Sequence, residues 1–287
     1  MRSSFLKDNK KLLVIISLLI LFPSAIGIIF VINFFSSGNL HPPIIIESNA
    51  DFISYEFPGN GTIQNPYIIE NYRIGAMGRN SIGISISNTN AYFTVKNCYV
   101  YTDYIGIRLM DVSTGTAWII NNTCISRTGD GGGIGLGDTI NCTILANTCI
   151  NFMQGIHLNY AYYCLIKLNT IENNNYQGIN IRYSNHNVII NNTIKMNPQH
   201  GIALVGNANW NVIYNNILID NAYLENYDID GRLTGPINSQ AFDECNNNYW
   251  YDNVNKQGNY WSDYLGLGNY SIDGPTGTED IYPFEIN

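Results

Sequence analysis

Asp103 and Asp130 each stand three residues before a recurrent glycine, and Asp111 and Asp138 five residues after it, in two successive stretches that read GIRLMD and GIGLGD. If those stretches stack, each pair brings two carboxylates about one strand spacing apart. There they bind a hard cation such as Ca²⁺, or at least one of them holds its proton above the usual range. Arg108 lies between the two positions on the outward side. The plainer alternative is that these acids sit at exposed bends and face water.

Aromatic residues recur in the same way. Tyr163, His186 and Trp210 follow one another at intervals of 23 and 24, and Tyr160 and Tyr183 at 23. Ring faces at such spacing can stack on sugar rings or on one another. Copper needs His, Met or Cys close together. His157 and His200 fall in different columns, and Met153 and Met196 precede them by four residues without sharing their register, so no copper site is expected from these residues. Cys124 and Cys149 share a column, as do Cys142 and Cys164. Stacked side chains that point alike seldom reach the torsion of a disulfide, so buried thiols are the expectation.

These columns exist only if the chain repeats. Asparagines at 71, 97, 122, 147, 169, 192 and 216 are spaced 26, 25, 25, 22, 23 and 24 apart, and a second anchor, the glycine of GISI, GIRL, GIGL, GIHL, GINI and GIAL, recurs between them at 83, 106, 133, 155, 178 and 201. A period near 23 fits a leucine-rich horseshoe or a β-solenoid. The unit from Gln177 to Leu204 holds three short β-type runs, GINI, NVII and TIKM, parted by Asn, Gly and Ser, and lacks the leucines and helical return of a horseshoe. Three strands and three bends make one triangular coil, so the predicted fold is all-β, a right-handed parallel β-helix of about seven coils. Ile156, Ile179 and Ile202 should lie one over the next, with asparagine amides stacked in ladders at the inward bends, Asn187 and Asn192 among them. Trp250, Tyr260, Trp261 and Tyr264 supply aromatic bulk to close the last coil.

Residues Leu12 to Phe35 carry no charge and are preceded by Arg2, Lys7, Lys10 and Lys11. That length crosses a bilayer as a helix, and the flanking cations place the N-terminus inside and everything after Ser36 outside. A cleaved signal peptide is the rival reading, with a shorter apolar stretch and a small-residue cleavage site that does not follow here. The expected organisation is a cytoplasmic tail at 1–11, a single-pass transmembrane anchor at 12–35, a linker at 36–43, an N-terminal cap at 44–66, coils at 67–222 and an aromatic-rich cap at 223–287. The protein is thus expected at the cell membrane with its C-terminal domain outside. Beyond the anchor, ten Lys and Arg face twenty-one Asp and Glu. That balance argues against a nucleic-acid partner and leaves cations and glycans.

With the phrases FPGNGT…NPYIIENY at the entry, the GI-x-L coils, and GNYWSDY…DIYPF at the exit, residues from about 44 to 287 resemble the NosD-like group of right-handed parallel β-helix proteins, particularly its archaeal secreted or membrane-anchored members. The coil phrase is shared with carbohydrate-active β-helices such as pectate lyases, polygalacturonases and mannuronan epimerases. The resemblance implies the fold directly. For activity it implies either a periplasmic role in copper delivery or, by likeness to the lyases, carboxylates such as Asp103, Asp130, Asp111 and Asp138 holding Ca²⁺ with Arg108 as base. The polygalacturonase signatures are missing. Three functions follow as expectations: a non-catalytic surface module for glycan binding, adhesion or envelope scaffolding, with polysaccharide or glycoprotein held on the Tyr and Trp columns; a Ca²⁺-assisted polysaccharide lyase or glycoside hydrolase; and copper handling.

Overall fold

Isoleucine and valine alternate with polar residues over runs of three to nine residues, and the bends between runs are marked by asparagine and glycine. Each run forms a strand with its apolar set turned inward. The computed structural model describes residues 40–222 and 239–286. The expected span at 12–35 lies outside the described residues, and no helix among the described residues is long and apolar enough to cross a membrane.

The strands assemble into three parallel sheets, each strand hydrogen-bonded to its equivalent one coil away. The first sheet has eight strands, Ile44–Ile46, Ile82–Thr89, Ile105–Val112, Gly132–Ile140, Gln154–Tyr162, Gln177–Arg182, His200–Val205 and Ala241–Asp243. The second has seven, from Tyr67–Glu70 to Val212–Tyr214, and the third eight, from Arg73–Ala76 through Ile217–Ile219 to Tyr260–Trp261. The result is a right-handed solenoid of about 6 turns. A further coil, begun by Val212–Tyr214 and Ile217–Ile219, returns to the first sheet at Ala241–Asp243 across residues outside the described set. Ile156 pairs with Ile179 and Ile179 with Ile202, and all three are fully buried.

The corners are held by amides. At the bend between the second and third sheets, Asn122, Asn147, Asn169, Asn192, Asn216 and Asn259 form one ladder. Each donates its backbone N–H and its amide to the Oδ1 of the next, at 2.8–3.1 Å. A second ladder runs Asn187, Asn211, Asn248, and a third runs Asn174, Asn197, Asn221, Gln240. The residue before a rung has left-handed backbone, as at Asn121 (φ 53°), Asn191 (φ 56°) and Asn215 (φ 53°), a conformation asparagine tolerates better than most. The first two asparagines of the sequence repeat are corrected by one position: Asn71 and Asn97 occupy these exposed left-handed sites, and the buried ladder position after Asn97 is Cys98, whose N–H donates to Asn122.

At the N-terminal end a short helix, Asn49–Ser54, lays the buried Phe52 over Tyr67 and Phe93, and Asp51 accepts the N–H groups of Glu47 and Ser48 to start it. At the other end Trp250 and Trp261 are buried against each other, with Tyr270 stacked on Trp261 at 4.1 Å. Both ends are thereby closed by rings where a bare strand edge would invite pairing.

Candidate functional site

The outward faces of the first sheet's strands set the site. One column runs Ser85, Arg108, Gly135, His157, Asn180, Ala203, and the next Ser87, Met110, Gly137, Asn159, Arg182, Val205. The coil GGIGLG has glycine at the outward positions 132, 135 and 137, where its neighbours carry side chains. His157 lies over the first two: a Cβ built on Gly132 meets its Nδ1 at 2.5 Å, and one on Gly135 meets its Cε1. Met110 lies over Gly137, with Sδ at 2.7 Å from the same kind of probe atom. The three glycines therefore leave a hollow whose floor is an imidazole and a thioether, part of a groove of about 560 Å³.

Arg108, Arg182, Gln154, Asn159 and Asn180 line this groove together with Met153 and the rings of Tyr160 and Tyr183. The two tyrosines stack at 5.1 Å with planes 13° apart, and Arg182 lies 5.0 Å over the Tyr183 ring. Arg108 donates through Nη2 to Ser85 Oγ at 3.0 Å. Among the described residues four buried side-chain polar atoms have no hydrogen-bond partner, and two of them, Arg108 Nε and His157 Nδ1, belong to this groove. Burial pushes the His157 imidazole down to about 4, so it is neutral at pH 7. Among the described residues no aspartate or glutamate lines the groove itself, while Asp111 and Asp138 directly follow the lining residues Met110 and Gly137.

Of the carboxylates singled out in the sequence, Asp103 and Asp130 are placed elsewhere. Thr102 pairs with Ser126, 24 residues on, while Ile105 pairs with Gly132, 27 residues on. The extra residues are taken up at the corner after Ser126, and Asp103 meets Arg127 there. Arg127 donates through Nε and Nη2 to the two carboxylate oxygens at 2.6 and 2.7 Å, and the Gly78 N–H adds a third bond at 2.7 Å. The Arg127 guanidinium holds the Asp103 carboxyl at about 2. Asp130 is exposed on the inserted loop. Asp111 and Asp138 keep their expected register, one residue beyond the pair Met110–Gly137, both exposed and both in left-handed backbone. Among the described residues no group of three or more His, Cys, Asp or Glu side chains could hold a metal ion.

Asp111 and Asp138 continue as Tyr160 and Tyr183 in the next two coils, because Thr139 pairs with Ala161, 22 residues on, and strand Gln154–Tyr162 meets Gln177–Arg182 at an offset of 23, as Ile156 meets Ile179. The four form one left-handed ridge beside the groove. The other aromatic column, Tyr163, His186, Trp210, is also in left-handed backbone. Its rings stack on one another at 4.9 and 6.4 Å with planes within 11°, as Tyr160 and Tyr183 do, but outside the groove lining. The six cysteines are free and buried, with Cys124 beside Cys149 in register. Met110 and the groove's amides were not singled out in the sequence, and His157 was weighed there only as a copper ligand. The glycine triplet was the available signal, since glycine on the outward face of a strand leaves room above it.

The chain matches the family model described as periplasmic copper-binding protein (NosD) over residues 44–266. No curated protein sequence matches it. Among solved structures it is similar to a mutant of DFA-IIIase from Arthrobacter chlorophenolicus in complex with DFA-III, at 12% identity and TM-score 0.49, covering 71% of this chain and 51% of that one. It thus spans about half the length of that protein. It is also similar to the A-module of an Azotobacter vinelandii mannuronan C-5 epimerase, at 13% identity and TM-score 0.30, covering 67% and 70%. The stacked coils and a family match running from the first strand to the aromatic closure carry one conclusion: the chain belongs to the NosD family.

Proposed function

We propose that this protein is a non-catalytic saccharide-binding β-helix, held outside the cell by its N-terminal apolar segment, and that the groove on the first sheet is its binding site. The hollow over Gly132, Gly135 and Gly137 carries this reading, because it opens a polar trough beside a tyrosine wall. Amide and guanidinium donors suit a polyhydroxylated ligand, and tyrosine faces suit its C–H groups. Hydrolysis of a glycoside by the common route uses two carboxyl groups flanking the bond. Among the described residues the groove lining offers Arg108, Arg182 and a neutral histidine, with Asp111 and Asp138 on the ridge outside it, which supports binding over turnover.

Titration of the purified chain with a polysaccharide panel, followed calorimetrically with product analysis in parallel, tests the proposal. Binding without cleavage, weakened by Tyr183→Ala and unaffected by Trp210→Ala, is expected. Cleavage products would replace it with the enzyme reading, and a silent panel would remove it.

Copper as cargo is a second reading, favoured by Met110, Met153 and His157 lining one groove. Thioether and imidazole are soft and borderline donors that suit copper. Copper retained by the wild-type chain and lost in Met110→Leu would support it.

A further inference from the structure

We infer that Asn60 is an acceptor for an N-linked glycan, carried on the loop that joins the N-terminal helix to the second sheet. This rests on the outward location proposed above and on nothing in the groove.

Five Asn-x-Ser/Thr triplets occur in the chain, at Asn60, Asn121, Asn141, Asn191 and Asn269, the pattern that accepts such glycans on the surface of exported chains. The coil accounts for three of them. Asn121, Asn141 and Asn191 are left-handed corner residues, the middle positions Asn122, Cys142 and Asn192 are buried, and Thr123, Thr143 and Thr193 open strands. A corner asparagine, a buried rung and a strand-forming threonine spell the triplet through turn and strand preference alone. At Asn269 the amide is taken by Glu279 Oε2 at 2.7 Å, and the middle residue Tyr270 is buried.

Asn60 lies outside the coils. Residues 58–66 lead from the helix end to the first strand of the second sheet, and Asn60 and residues 62–65 are exposed. The loop is tied at its neck: Asn60 N–H donates to the Asn65 carbonyl at 3.0 Å, and Asn65 N–H to the Thr62 carbonyl at 3.1 Å. Thr62 Oγ1 donates to Asn60 Oδ1 at 2.8 Å, with the Thr62 N–H on the same oxygen at 3.3 Å. None of the other four triplets makes that side-chain bond among the described residues. Gly61 is left-handed at φ 75°, and a Cβ there would meet the Tyr67 ring at 2.8 Å, so packing keeps the middle position small. The turn thus engages the amide oxygen and leaves Nδ2 without a partner among the described residues, on an exposed tip beside its threonine.

The donor class is an oligosaccharide on a polyprenyl phosphate or diphosphate. Asn60 Nδ2 bonds to the anomeric carbon, the bond from that carbon to the phosphate oxygen breaks with its electron pair on the lipid phosphate, and one amide proton passes to a base of the transferase. No residue of this loop lines the groove, so the added sugar leaves the proposed binding site open.

Translation of the full-length chain into vesicles that carry a eukaryotic N-glycosylation machinery tests this, with protease protection showing which chains have crossed the membrane. Cleavage after glutamate isolates residues 57–70, in which Asn60 begins the only such triplet. Mass spectrometry of that peptide from protected chains is expected to show the glycopeptide, lost in Asn60→Gln and Thr62→Ala and retained in Thr62→Ser. A bare peptide in protected wild-type chains, or a glycan that persists in Thr62→Ala, overturns the inference and leaves the outward location standing. Chains that stay unprotected overturn the outward location and the inference together.

Discussion

Asp280 stands where the next asparagine of the longest ladder would stand: its Oδ2 accepts the backbone N–H of Asn259 at 2.6 Å and the side-chain amide at 3.2 Å. The Trp261 indole donates to the same oxygen at 3.0 Å, and Tyr282 N–H to Oδ1 at 3.0 Å. The other two ladders end alike. Asn248 donates to Asp243, and Gln240 to Asp263. Every rung gives forward, so the last needs an acceptor that asks for nothing back, and a carboxylate is such a group.

Removing that acceptor should open the end of the rod. Asp280→Ala leaves an indole N–H and two backbone N–H groups facing a buried void, and is expected to cost about 3 kcal/mol or more. Asp280→Asn keeps the acceptor for Asn259 and Trp261 but sets its NH2 against the Tyr282 N–H, so a smaller cost of about 1–2 kcal/mol is expected. Urea unfolding of the two variants measures the contrast.

Adjacent asparagines in one corner should behave differently. Asn192 is fully buried and makes both ladder bonds as well as one to the Ile166 carbonyl. Asn192→Ala is expected to lose about 3 kcal/mol or more, while Asn191→Ala loses only the left-handed preference, about 1 kcal/mol. Equal losses would show that the ladder contributes nothing beyond turn geometry.

Glycines two residues apart should likewise part company. A Cβ on inward Gly133 meets the Gly155 carbonyl and Cys149 at 2.8 Å, backbone and core that cannot yield, so Gly133→Ala should fail to fold or melt far lower. On outward Gly135 the obstacle is the His157 ring, so Gly135→Ala should fold and lose ligand binding. Circular dichroism with calorimetry reads both.

Acid should act through the Asp103–Arg127 pair. The folded carboxyl sits at about 2, below its unfolded value, so its contribution is present above about pH 4 and is lost as pH falls toward 2. Asp243 and Asp280 run the other way: burial raises both, so the fold gains relative stability as pH falls through their raised range. Urea midpoints followed from pH 6 to about pH 2 should fall steeply at the acid end in the wild type and less so in Asp103→Asn. Identical acid limbs would remove the ion pair from the account.

Cys164 occupies the rung before Asn187, to whose Oδ1 its N–H donates at 2.8 Å. An asparagine there could add the amide bond that every later rung makes, so Cys164→Asn should leave the melting temperature unchanged or raise it. A marked fall would show that the corner at that coil is too narrow for an amide.

Much of this architecture could be read from recurrence alone. A residue that meets its own equivalent one coil away must be able to stack on itself, so Gly178 and Ile179 reappear as Gly201 and Ile202, and their register was recoverable by counting. The spacing of five in Asn187, Asn192 and Asn197 even marks the three corners of one coil. Counting failed where length changed, because residues added after Ser126 slid Asp103 away from Asp130 and onto Arg127. It also failed at the groove. A hollow depends on what lies above a glycine, and His157 covers Gly135 from a neighbouring coil. The family match then fixes the fold's lineage without choosing among ligands.

The amide rows have a direction, and direction bears on how such a rod could change size. An interior coil copied in tandem would find an acceptor ahead and a donor behind, whatever the number of copies. Duplication or loss of whole coils therefore disturbs neither terminus, whereas reversing a segment or exchanging the two ends would set donor against donor. Three aspartates at the far end act as stoppers, and the middle is free to vary in extent, so the rod's length is set independently of its closure.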